Sequence, residues 1–456
     1  MPGSNDTELS ASNRLYKSTI WMIMKIYSFP SSAAKEQLLT ITRRVQSFNP
    51  EDQQSVADIL EDIRTHGDTA LLRYANRFDS PELDLTTLQA TVQEFETAER
   101  QVHPDFLKSL DRAASQIELF HRHQSPTSWI DTPRPGTLLG QIVNPVGVAG
   151  IYVPGGKSGK TPLVSTVLMC AIPAKIAGVS SIVMATPATP DGTINPHLLV
   201  AARRAGVDAV YKVGSAWAIA ALAYGTQTIP RCDVIVGPGN IYVTIAKKMV
   251  TGTVGIDMVA GPSEILIIAD KTANPEYVAA DLLSQAEHDP MASAILVTPF
   301  SDVAEQVLKS VYDQLPSLER QDIARQSLER YGAVFIVQDM PAAFELANAI
   351  APEHLELHIA SPLEHIGLIR NAGAVFMGSF TPEPVGDYIA GPNHVLPTAG
   401  TARFSSALSV DHFIKKTSLI HYSEAAFRKE APDILRLANI EGLGAHARSV
   451  AVRQKK

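Results

Sequence analysis

The stretch VGVAGIYVPGGKSGKTPLVSTVLMCAIPAKIAGVSSIVMAT, residues 146–186, places a β-branched run, a glycine-rich turn, an apolar helical run and a second β-branched run in succession. The chain has eight such β-branched runs: VGVAGIYV, SSIVMAT, DAVYKVG, CDVIVG, EILIIAD, SAILVTP, GAVFIV and GAVFMG. Short strands that alternate with helices are typical of doubly wound α/β sheets, and eight are too many for one mononucleotide-binding half. The sequence therefore predicts an α/β fold with two Rossmann-like doubly wound domains.

The composition is that of an ordinary globular protein. The chain has 456 residues, a net charge of −8 and an apolar fraction of 45%, and a chain of this length usually divides into two or more domains. The acidic balance argues against nucleic-acid binding and favours small-molecule chemistry. The two distant cysteines, Cys170 and Cys232, suggest neither a disulfide framework nor a thiolate metal site, which fits a reducing, cytoplasmic compartment. The apolar run at 18–29 is too short to span a bilayer, so we expect no membrane segment.

The segment Gly159-Lys160-Thr161 looks like the end of a nucleoside-triphosphate loop. Such a loop requires the spacing G-x-x-x-x-G-K-[ST], and Pro154 stands where its first glycine should be. Proline lacks the backbone N–H that would bind phosphate. Asp270, which ends ILIIAD, could serve as a magnesium ligand, but any strand that runs into a loop can end in Asp. The spacing therefore argues against a triphosphatase.

Glycine-containing loops follow several strand-like runs. A Pro-Gly pair usually makes only a turn, but α/β proteins bind ligands beyond the carboxyl ends of their strands, where such loops lie. The one G-x-G-x-x-[GA] pattern, at 442–447, has no strand-helix-strand unit around it, so it is not a dinucleotide fingerprint. A ligand cleft is predicted from four loops together: VPGG (153–156), GPGN (237–240), AGPSE (260–264) and AGPNH (390–394).

Eight of the thirteen histidines lie beyond residue 280. A histidine beside a charged residue is most often a surface or satisfied core residue, whereas N and O donors from distant segments can form a zinc site with an open position. Gln285 and His288 are three residues apart on a predicted helix and so share a face. Spacing does not select one ligand set among the candidates, which are Gln285 with His288, Glu353 with His354, Asp387 with His394, and Glu441 with His446.

Six long motifs give the chain a resemblance to the histidinol dehydrogenase family. They are GPGNIYVTIAKK, GIDMVAGPSEILIIAD, SQAEHDP, APEHLEL, VGDYIAGPNHVLPT and EGLGAHARSVAVR. The likeness extends from about Lys25 to the C-terminus. The resemblance implies a homodimeric enzyme that oxidises L-histidinol to L-histidine through L-histidinaldehyde. Each reaction would use two NAD⁺, and each subunit would bind one zinc ion.

The resemblance also implies roles for individual residues. The zinc ligands would be Gln285, His288, Asp387 and His446. His354 would accept the hydroxyl proton, and Glu353 would deprotonate the water that attacks the aldehyde, so this route needs no cysteine. NAD contacts would fall on Tyr152, Asn240 and the position of Trp217. Substrate contacts would fall on Ser263, Gln285, His288, His354, Asp387, His394, Glu441 and His446.

Periodicity and resemblance together divide the chain. Residues 33–125 have apolar side chains at three- and four-residue spacing and are expected to be helical. The C-terminal tail at 410–456 contains a helical apolar stripe that needs another surface to cover it. The family resemblance implies that this tail crosses to the partner chain. The expected segments are a loose N-terminal extension at 1–23, an N-terminal helical segment at 24–47, a first Rossmann-like domain at 48–151 and 262–409 that carries the zinc and catalytic residues, a second at 152–261 on the cofactor side, and a C-terminal dimerisation tail at 410–456.

Two features depart from the family pattern, and both concern the cofactor. The loop Lys157–Lys160 is longer than usual, and Trp217 stands where the family usually has a glutamine that contacts the dinucleotide. An indole can stack on a cofactor but offers no amide donor and acceptor pair. Two alternatives therefore stay open: a zinc- and NAD-dependent dehydrogenase of another polar alcohol, for which Glu441 would not be needed to hold an imidazole, and a relative that binds ligand without turnover.

Overall fold

The computed structural model describes residues 23–44, 48–155 and 161–455. These residues form a mixed α/β structure with two parallel sheets and one small antiparallel sheet, which confirms the predicted α/β class. The expected loose extension at 1–23 lies outside the described residues except for Ile23, which is buried. The Lys157–Lys160 loop also lies outside them. In the part of the chain that is described, no helix is long and apolar enough to cross a membrane.

The first parallel sheet contains six strands: β1 (Lys25–Ser28), β9 (Glu264–Ala269), β10 (Ser293–Thr298), β11 (Ala333–Ile336), β12 (His354–His358) and β13 (Ala374–Met377). Their order is β1-β11-β10-β9-β12-β13, and all neighbours are parallel. The central strand β9 is buried along its whole length, as expected where helices cover both faces of a parallel sheet.

Helices cover this sheet on two faces. Val278, Leu308 and Leu328 pack on one face with side chains of β9 and β10, whereas Ile41 and Phe344 pack on the other. The helices that carry these side chains are α1 (Ser32–Arg43), α10 (Pro275–Ala286), α11 (Ser301–Gln314), α12 (Gln321–Tyr331) and α13 (Met340–Ile350).

The N-terminal segment differs from the expectation of a purely helical 24–47. Residues Lys25–Ser28 form β1, which pairs with β11 at the edge of the six-stranded sheet, and only then does α1 begin. Four residues are too few for a period to be recognised in the sequence. The strand is defined by its partner, which is about 300 residues away in the chain.

The second parallel sheet contains five strands: β4 (Val148–Tyr152), β5 (Ser181–Ala185), β6 (Ala209–Tyr211), β7 (Val234–Val236) and β8 (Gly255–Ile256). Their order is β6-β5-β4-β7-β8, so the direction of winding reverses between β4 and β7. A crevice beyond the strand ends at such a point is where open α/β sheets bind ligands. The helices that follow these strands are α6 (Val164–Ala177), α7 (Pro196–Ala205), α8 (Ser215–Tyr224) and α9 (Ile241–Val250).

Five helices precede β2 (Trp129–Asp131) in the chain. The first is α1, and the other four are α2 (Pro50–His66), α3 (Asp68–Phe78), α4 (Val92–Gln101) and α5 (Pro104–Arg122). The last four pack on the five-stranded sheet: Leu60 and Leu71 share a core with Ile235, and Ile117 shares one with Ile151. Residues 48–151 were expected to belong with the first domain, and the four helices among them lie against the five-stranded sheet. An apolar stripe predicts that a helix packs on something, but it does not say on which sheet.

The C-terminal region starts with a long strand. β14 (Ile414–Tyr422) pairs antiparallel with β3 (Thr137–Pro145), which also pairs with β2. Two helices follow, α14 (Glu424–Ile440) and α15 (Gly444–Gln454), and they pack on each other. Leu437 and Ile440 on α14 are 61% and 76% exposed, so this tail presents apolar surface that the described chain does not cover.

Candidate active site

The backbone N–H and carbonyl groups of Glu264 bind the side chains of the predicted acid/base pair. Glu264 begins β9, and His354 begins β12, where it lies opposite Ile265 in the parallel pairing. The backbone N–H of Glu264 donates to Glu353 Oε2 at 2.9 Å. His354 Nδ1 lies 2.9 Å from the carbonyl oxygen of Glu264. Glu353 and His354 are both buried, so the backbone of this one residue fixes the orientation of both.

The contact to Glu264 determines the tautomer of His354. A carbonyl oxygen only accepts hydrogen bonds, so Nδ1 carries the proton and Nε2 keeps a free lone pair in the neutral ring. Nε2 points toward Glu383, whose Oε1 is 3.7 Å away. Burial lowers the pKa of His354, although the nearby Asp387 carboxylate opposes that shift. Neutral His354 can therefore accept a proton at Nε2.

Glu353 lies in a place that disfavours a negative charge. Burial raises its pKa well above the ordinary carboxyl value, and the hydrogen bond from the Glu264 N–H opposes this shift only in part. The carboxylates of Glu264, Glu383 and Asp387 raise its pKa further. A carboxyl group with a raised pKa is a stronger base once it is ionised, which suits proton removal from water.

Gln285, Glu383 and Asp387 surround the other side of His354. Gln285 lies at the end of α10 and is buried. In the amide orientation that satisfies its neighbours, Gln285 donates to both oxygens of Glu383 at 2.5 and 3.0 Å and accepts from the Glu264 N–H at 3.3 Å. Ligand atoms of His354, Glu383 and Asp387 all lie within 4.8 Å of one another. Residues from three separate motifs thus converge on one point.

His288, His394 and Ser263 lie at the margin of this cluster. The α10 helix ends at Ala286, so His288 lies in the turn after the helix, exposed, and not on the helix itself as predicted. His288 is close enough to Glu383 to lower its pKa. His394 Nδ1 lies 3.9 Å from Asp387 Oδ1, and burial lowers the pKa of His394 to about 4. Ser263 immediately precedes Glu264 and is partly exposed.

A second buried cluster, formed by Glu356, His358 and Asp281, contacts the backbone of Glu383. Glu356 Oε1 accepts from the backbone N–H of Glu383 at 2.9 Å. Its other oxygen lies 3.3 Å from His358 Nε2, which is also 3.1 Å from Asp281 Oδ2. Burial lowers the pKa of His358, but hydrogen bonds to Asp281 and Glu356 outweigh burial and raise this pKa to about 9. Through the contact of Glu356, this group holds the start of the Glu383 turn.

The charge of the cluster fits a divalent cation. Burial raises the pKa of Glu383 to about 7 and that of Asp387 to about 7, and Glu383 adds to the shift of Asp387. Such shifts mean that the ionised carboxylates lack a compensating positive charge. The available donors are nitrogen and oxygen atoms, which suit zinc. Cys170 and Cys232 are buried elsewhere, and burial raises the pKa of both thiols.

Two of the predicted cofactor residues, Tyr152 and Asn240, lie at the carboxyl ends of β4 and β7. Gly237 of GPGN has a φ of +117°, and a Cβ there would overlap the carbonyl oxygen of Tyr152, so the two loops touch and Gly237 must be glycine. Asn240 is exposed and caps α9 by accepting from the Val243 N–H. Tyr152 is buried, and its hydroxyl accepts from the Ser215 N–H at 3.0 Å.

Trp217 lies two residues after the Ser215 contact to Tyr152. It is 8% exposed, and its ring stacks with those of Tyr74 and Phe78, at centroid distances of 6.0 and 5.3 Å. Its Nε1 donates to Asp79 Oδ2 at 2.8 Å. The indole N–H is therefore used within the protein, and what remains for a ligand is the edge of the aromatic stack.

Glu441 and His446 are not brought to the cluster by their own chain. Both are exposed, at the end of α14 and the start of α15. The structure thus joins Gln285, Glu353, His354 and Asp387, with His288, His394 and Ser263 at the margin. It leaves the two tail residues on the surface.

Two residues of the cluster, Glu383 and Glu264, were missed by sequence reasoning. Glu383 precedes Asp387 by four residues, a spacing that places two side chains on one face of a helical turn. Glu264 is the last residue of AGPSE. Its contribution is made through the backbone, and no property of a side chain could have indicated it.

Comparisons with known proteins agree on one family. A family model described as histidinol dehydrogenase matches residues 42–454. A histidinol dehydrogenase of Desulfotalea psychrophila is 52% identical over 434 residues, which cover 95% of this chain and 100% of the relative. Another, of Nitratidesulfovibrio vulgaris, is 54% identical over 411 residues, or 90% of this chain and 94% of the relative.

A solved structure supports the same assignment. The crystal structure of histidinol dehydrogenase from Elizabethkingia anophelis superposes with a TM-score of 0.88 at 39% identity, and the match covers 94% of this chain and 98% of that one. The fold, the sequence motifs and the buried cluster agree with this similarity. The chain belongs to the histidinol dehydrogenase family.

Proposed function

We propose that the cluster around Glu264 oxidises L-histidinol to L-histidine through L-histidinaldehyde, with NAD⁺ as the hydride acceptor. One observation carries the proposal: Glu353, His354, Gln285 and Asp387, which the sequence distributes over three motifs, meet in a largely buried site next to the backbone of Glu264. Family membership supports the reaction, since the relatives are named for it.

His354 acts as the base of the first oxidation. Its Nδ1–H is fixed on the Glu264 carbonyl, which leaves Nε2 free to accept the hydroxyl proton of histidinol. As this proton leaves oxygen, hydride leaves the adjacent carbon for the nicotinamide, and the alcohol becomes the aldehyde. The lowered pKa of His354 keeps the ring neutral, and therefore competent as a base, near neutral pH.

Glu353 activates water for the second oxidation. Ionised Glu353 removes a proton from water, and the water oxygen adds to the aldehyde carbon. The proton that His354 accepted in the first oxidation passes to the former carbonyl oxygen, which gives the hydrate and frees Nε2 again. The hydrate then loses a second hydride to NAD⁺ and a second proton to His354, which yields the carboxylic acid. Each histidinol therefore reduces two NAD⁺. The route does not use a thiol, in agreement with the buried positions of Cys170 and Cys232.

Gln285, His288 and Asp387, with His446 of a second subunit, would hold zinc, and the uncompensated charge of Glu383 and Asp387 supports a cation there. When bound, zinc would supply a Lewis acid that holds the amino alcohol and orients its reacting carbon. Ser263 and His394 lie where they could contact the same substrate. Glu441 has acceptor oxygens for the imidazole N–H.

The two parallel sheets would act as Rossmann-like units, with NAD at the reversal point of the five-stranded sheet. Tyr152 and Asn240 lie on the two loops that meet there, and Trp217 is close to Tyr152 through the Ser215 turn. The N-terminus of α9 follows GPGN, and helix N-termini favour phosphate. Free buried thiols are compatible with a cytoplasmic location.

The tail would complete the site of a partner subunit in a homodimer. Glu441 and His446 are exposed next to the apolar face formed by Leu437 and Ile440. Contiguous exposed apolar residues of this kind mark an interaction surface. A second copy would cover that face and receive the two polar side chains in its own site.

The experiment is a coupled measurement of NADH and histidine with purified protein. Two NADH for each histidine, together with loss of this turnover in Glu353→Gln, would support the proposal. Glu345→Gln, on the exposed face of α13, is the matched control. Turnover of another polar alcohol in place of histidinol, or ligand binding without NADH formation, would refute it.

A further inference from the structure

We infer that Arg44 is a positioning residue of this site, which acts through the buried ion pair it forms with Glu264. This inference rests on the roles proposed above for Glu353 and His354. Arg44 directly follows α1, outside every motif on which the family resemblance is based. Its Nη2 lies 2.8 Å from Glu264 Oε1, and the two side chains are 1% and 8% exposed.

Arg44 joins three segments of the first sheet. Besides the ion pair, its Nε donates to the carbonyl of Met291 at 2.9 Å, and its Nη1 donates to the carbonyl of Ile41 at 2.6 Å. Met291 lies just before β10, and Ile41 lies on α1. A planar guanidinium can make these three contacts in fixed directions, whereas a lysine ammonium cannot reproduce them. The end of α1 is therefore locked to the start of β9.

The carboxylate of Glu264 has little else to hold it. Its Oε2 has no hydrogen-bond partner among the described residues. Ion pairing with Arg44 therefore decides where the side chain lies, and a buried carboxylate left without its partner would be strongly destabilised. Because Glu264 is the first residue of β9, movement of its side chain would also move its backbone N–H and carbonyl groups at the strand end.

The backbone N–H and carbonyl groups of Glu264 orient the acid/base pair. The N–H binds Glu353 and Gln285, and the carbonyl fixes the tautomer of His354. Displacements of about 1 Å at reacting groups can lower rates by about a hundredfold. Arg44 therefore acts on catalysis indirectly. It contacts neither Glu353 nor His354, but it holds Glu264, whose backbone binds both side chains.

The test compares graded variants. Arg44→Met removes the positive charge. Arg44→Lys keeps the charge but loses the fixed N–H donors of the guanidinium. Glu264→Gln keeps an oxygen that can accept a hydrogen bond from Arg44. We expect kcat for histidinol to fall about 10- to 100-fold in Arg44→Met and by less in the other two, with KM within about threefold of wild type. Arg43→Met, at the exposed neighbour on the same helix turn, should keep wild-type values.

A double variant and a spectroscopic readout separate positioning from general stability. If the pair acts as a unit, Arg44→Met with Glu264→Gln should lose no more activity than Arg44→Met alone. In protein labelled with ¹⁵N-histidine, the Nδ1–H signal of His354, assigned by its absence in His354→Asn, should shift or broaden in Arg44→Met and stay unchanged in Arg43→Met. This signal does not depend on turnover, so an inactive wild type would refute the proposed function while the inference is still tested.

Several outcomes would overturn the inference. A folded Arg44→Met protein with wild-type kcat and an unchanged His354 signal would do so, as would a rise in KM alone or an equal loss in Arg43→Met. If Arg44→Met does not fold, Arg44→Lys and Glu264→Gln carry the test, because both retain a partner for the buried group. Wild-type kcat and His354 signals in both of these would show that the ion pair serves stability only.

Discussion

The indole N–H of Trp217 donates to Asp79 Oδ2 at 2.8 Å, and the same oxygen accepts from the Gly214 N–H at 3.0 Å. Asp79 directly follows α3, so this carboxylate connects a helix of the N-terminal region to the start of α8. Trp217 is therefore first a packing residue between Tyr74 and Phe78, and any contact with NAD has to be made at the edge of that stack.

We expect Trp217→Gln to weaken NAD⁺ binding more than histidinol binding. The substitution removes the aromatic stack next to the Tyr152 loop, at a distance from the acid/base pair, and an aromatic pair contributes about 0.5–1.5 kcal/mol beyond its buried area. Titration of each ligand by calorimetry would measure both affinities. Trp129→Gln, at a half-exposed indole on β2, is the control. Unchanged NAD⁺ affinity in a folded variant would show that Trp217 has a packing role only.

We expect the partly buried Asp79 to give the stability of the fold a specific pH dependence. Burial raises its pKa to about 6, against the opposing hydrogen bonds from Trp217 and Gly214, whereas an unfolded aspartate titrates near 4. The folded state therefore binds this proton more tightly, and the contribution of Asp79 to stability is greatest at low pH and is lost as the pH rises through about 6.

Asp79→Asn should remove that pH dependence. The free energy of unfolding of this variant, relative to wild type, should increase by about 1–3 kcal/mol between pH 4 and pH 7. Denaturant unfolding at a series of pH values would measure it, with Asp58→Asn, at an exposed carboxyl on α2, as the control. Parallel profiles for wild type and Asp79→Asn would mean that the pKa of Asp79 is the same in the folded and unfolded states.

The two oxidation steps should respond differently to the acid/base pair. Glu353→Gln should slow oxidation of supplied histidinaldehyde about a hundredfold or more, because water is then not activated, and should slow the first hydride transfer much less. His354→Asn should slow both, since both steps release a proton to Nε2. Single-turnover NADH formation from each substrate would measure this. Equal losses in both steps for Glu353→Gln would assign it another role.

Removal of metal should abolish turnover, and Glu383 should influence how tightly the metal is held. We expect about one zinc ion per chain by elemental analysis, loss of activity on chelation and recovery on addition of zinc. Glu383→Gln removes a buried negative charge that holds the Gln285 amide, and it should weaken zinc retention about 10- to 100-fold. Competition with a chromogenic chelator would measure this, with Glu345→Gln as the control. Full activity of a metal-free preparation would contradict the proposed site.

Subunit exchange tests whether the tail serves the partner. Mixed Glu353→Gln and Glu441→Gln dimers would contain one doubly altered site and one intact site, so about a quarter of the wild-type sites should return after full exchange. Glu353→Gln mixed with Gln285→Ala is the control: both residues lie in the same cluster of one chain, so no hybrid site is intact. Verified exchange without recovery, or an active monomer, would rule out the shared site.

The local pattern of the sequence was sufficient to predict the class of fold and to identify residues that lie next to each other within one motif. Alternating β-branched and helical runs predicted parallel α/β sheets, because strand and helix periods are properties of short segments. Glu353 and His354 were adjacent in the chain and stayed adjacent in the site. The motifs also indicated the family, which the comparisons confirmed.

Tertiary structure alone decided which segments meet. Helices α2 to α5 pack on the five-stranded sheet, whereas β1 joins the six-stranded one, since an apolar stripe does not specify its partner. The parallel pairing of β9 with β12 brings the Glu264 backbone to Glu353 and His354, and the end of α1 brings Arg44 to Glu264. These contacts depend on strand register and on backbone hydrogen bonds between residues far apart in the chain, and neither leaves a signal in the local order of side chains.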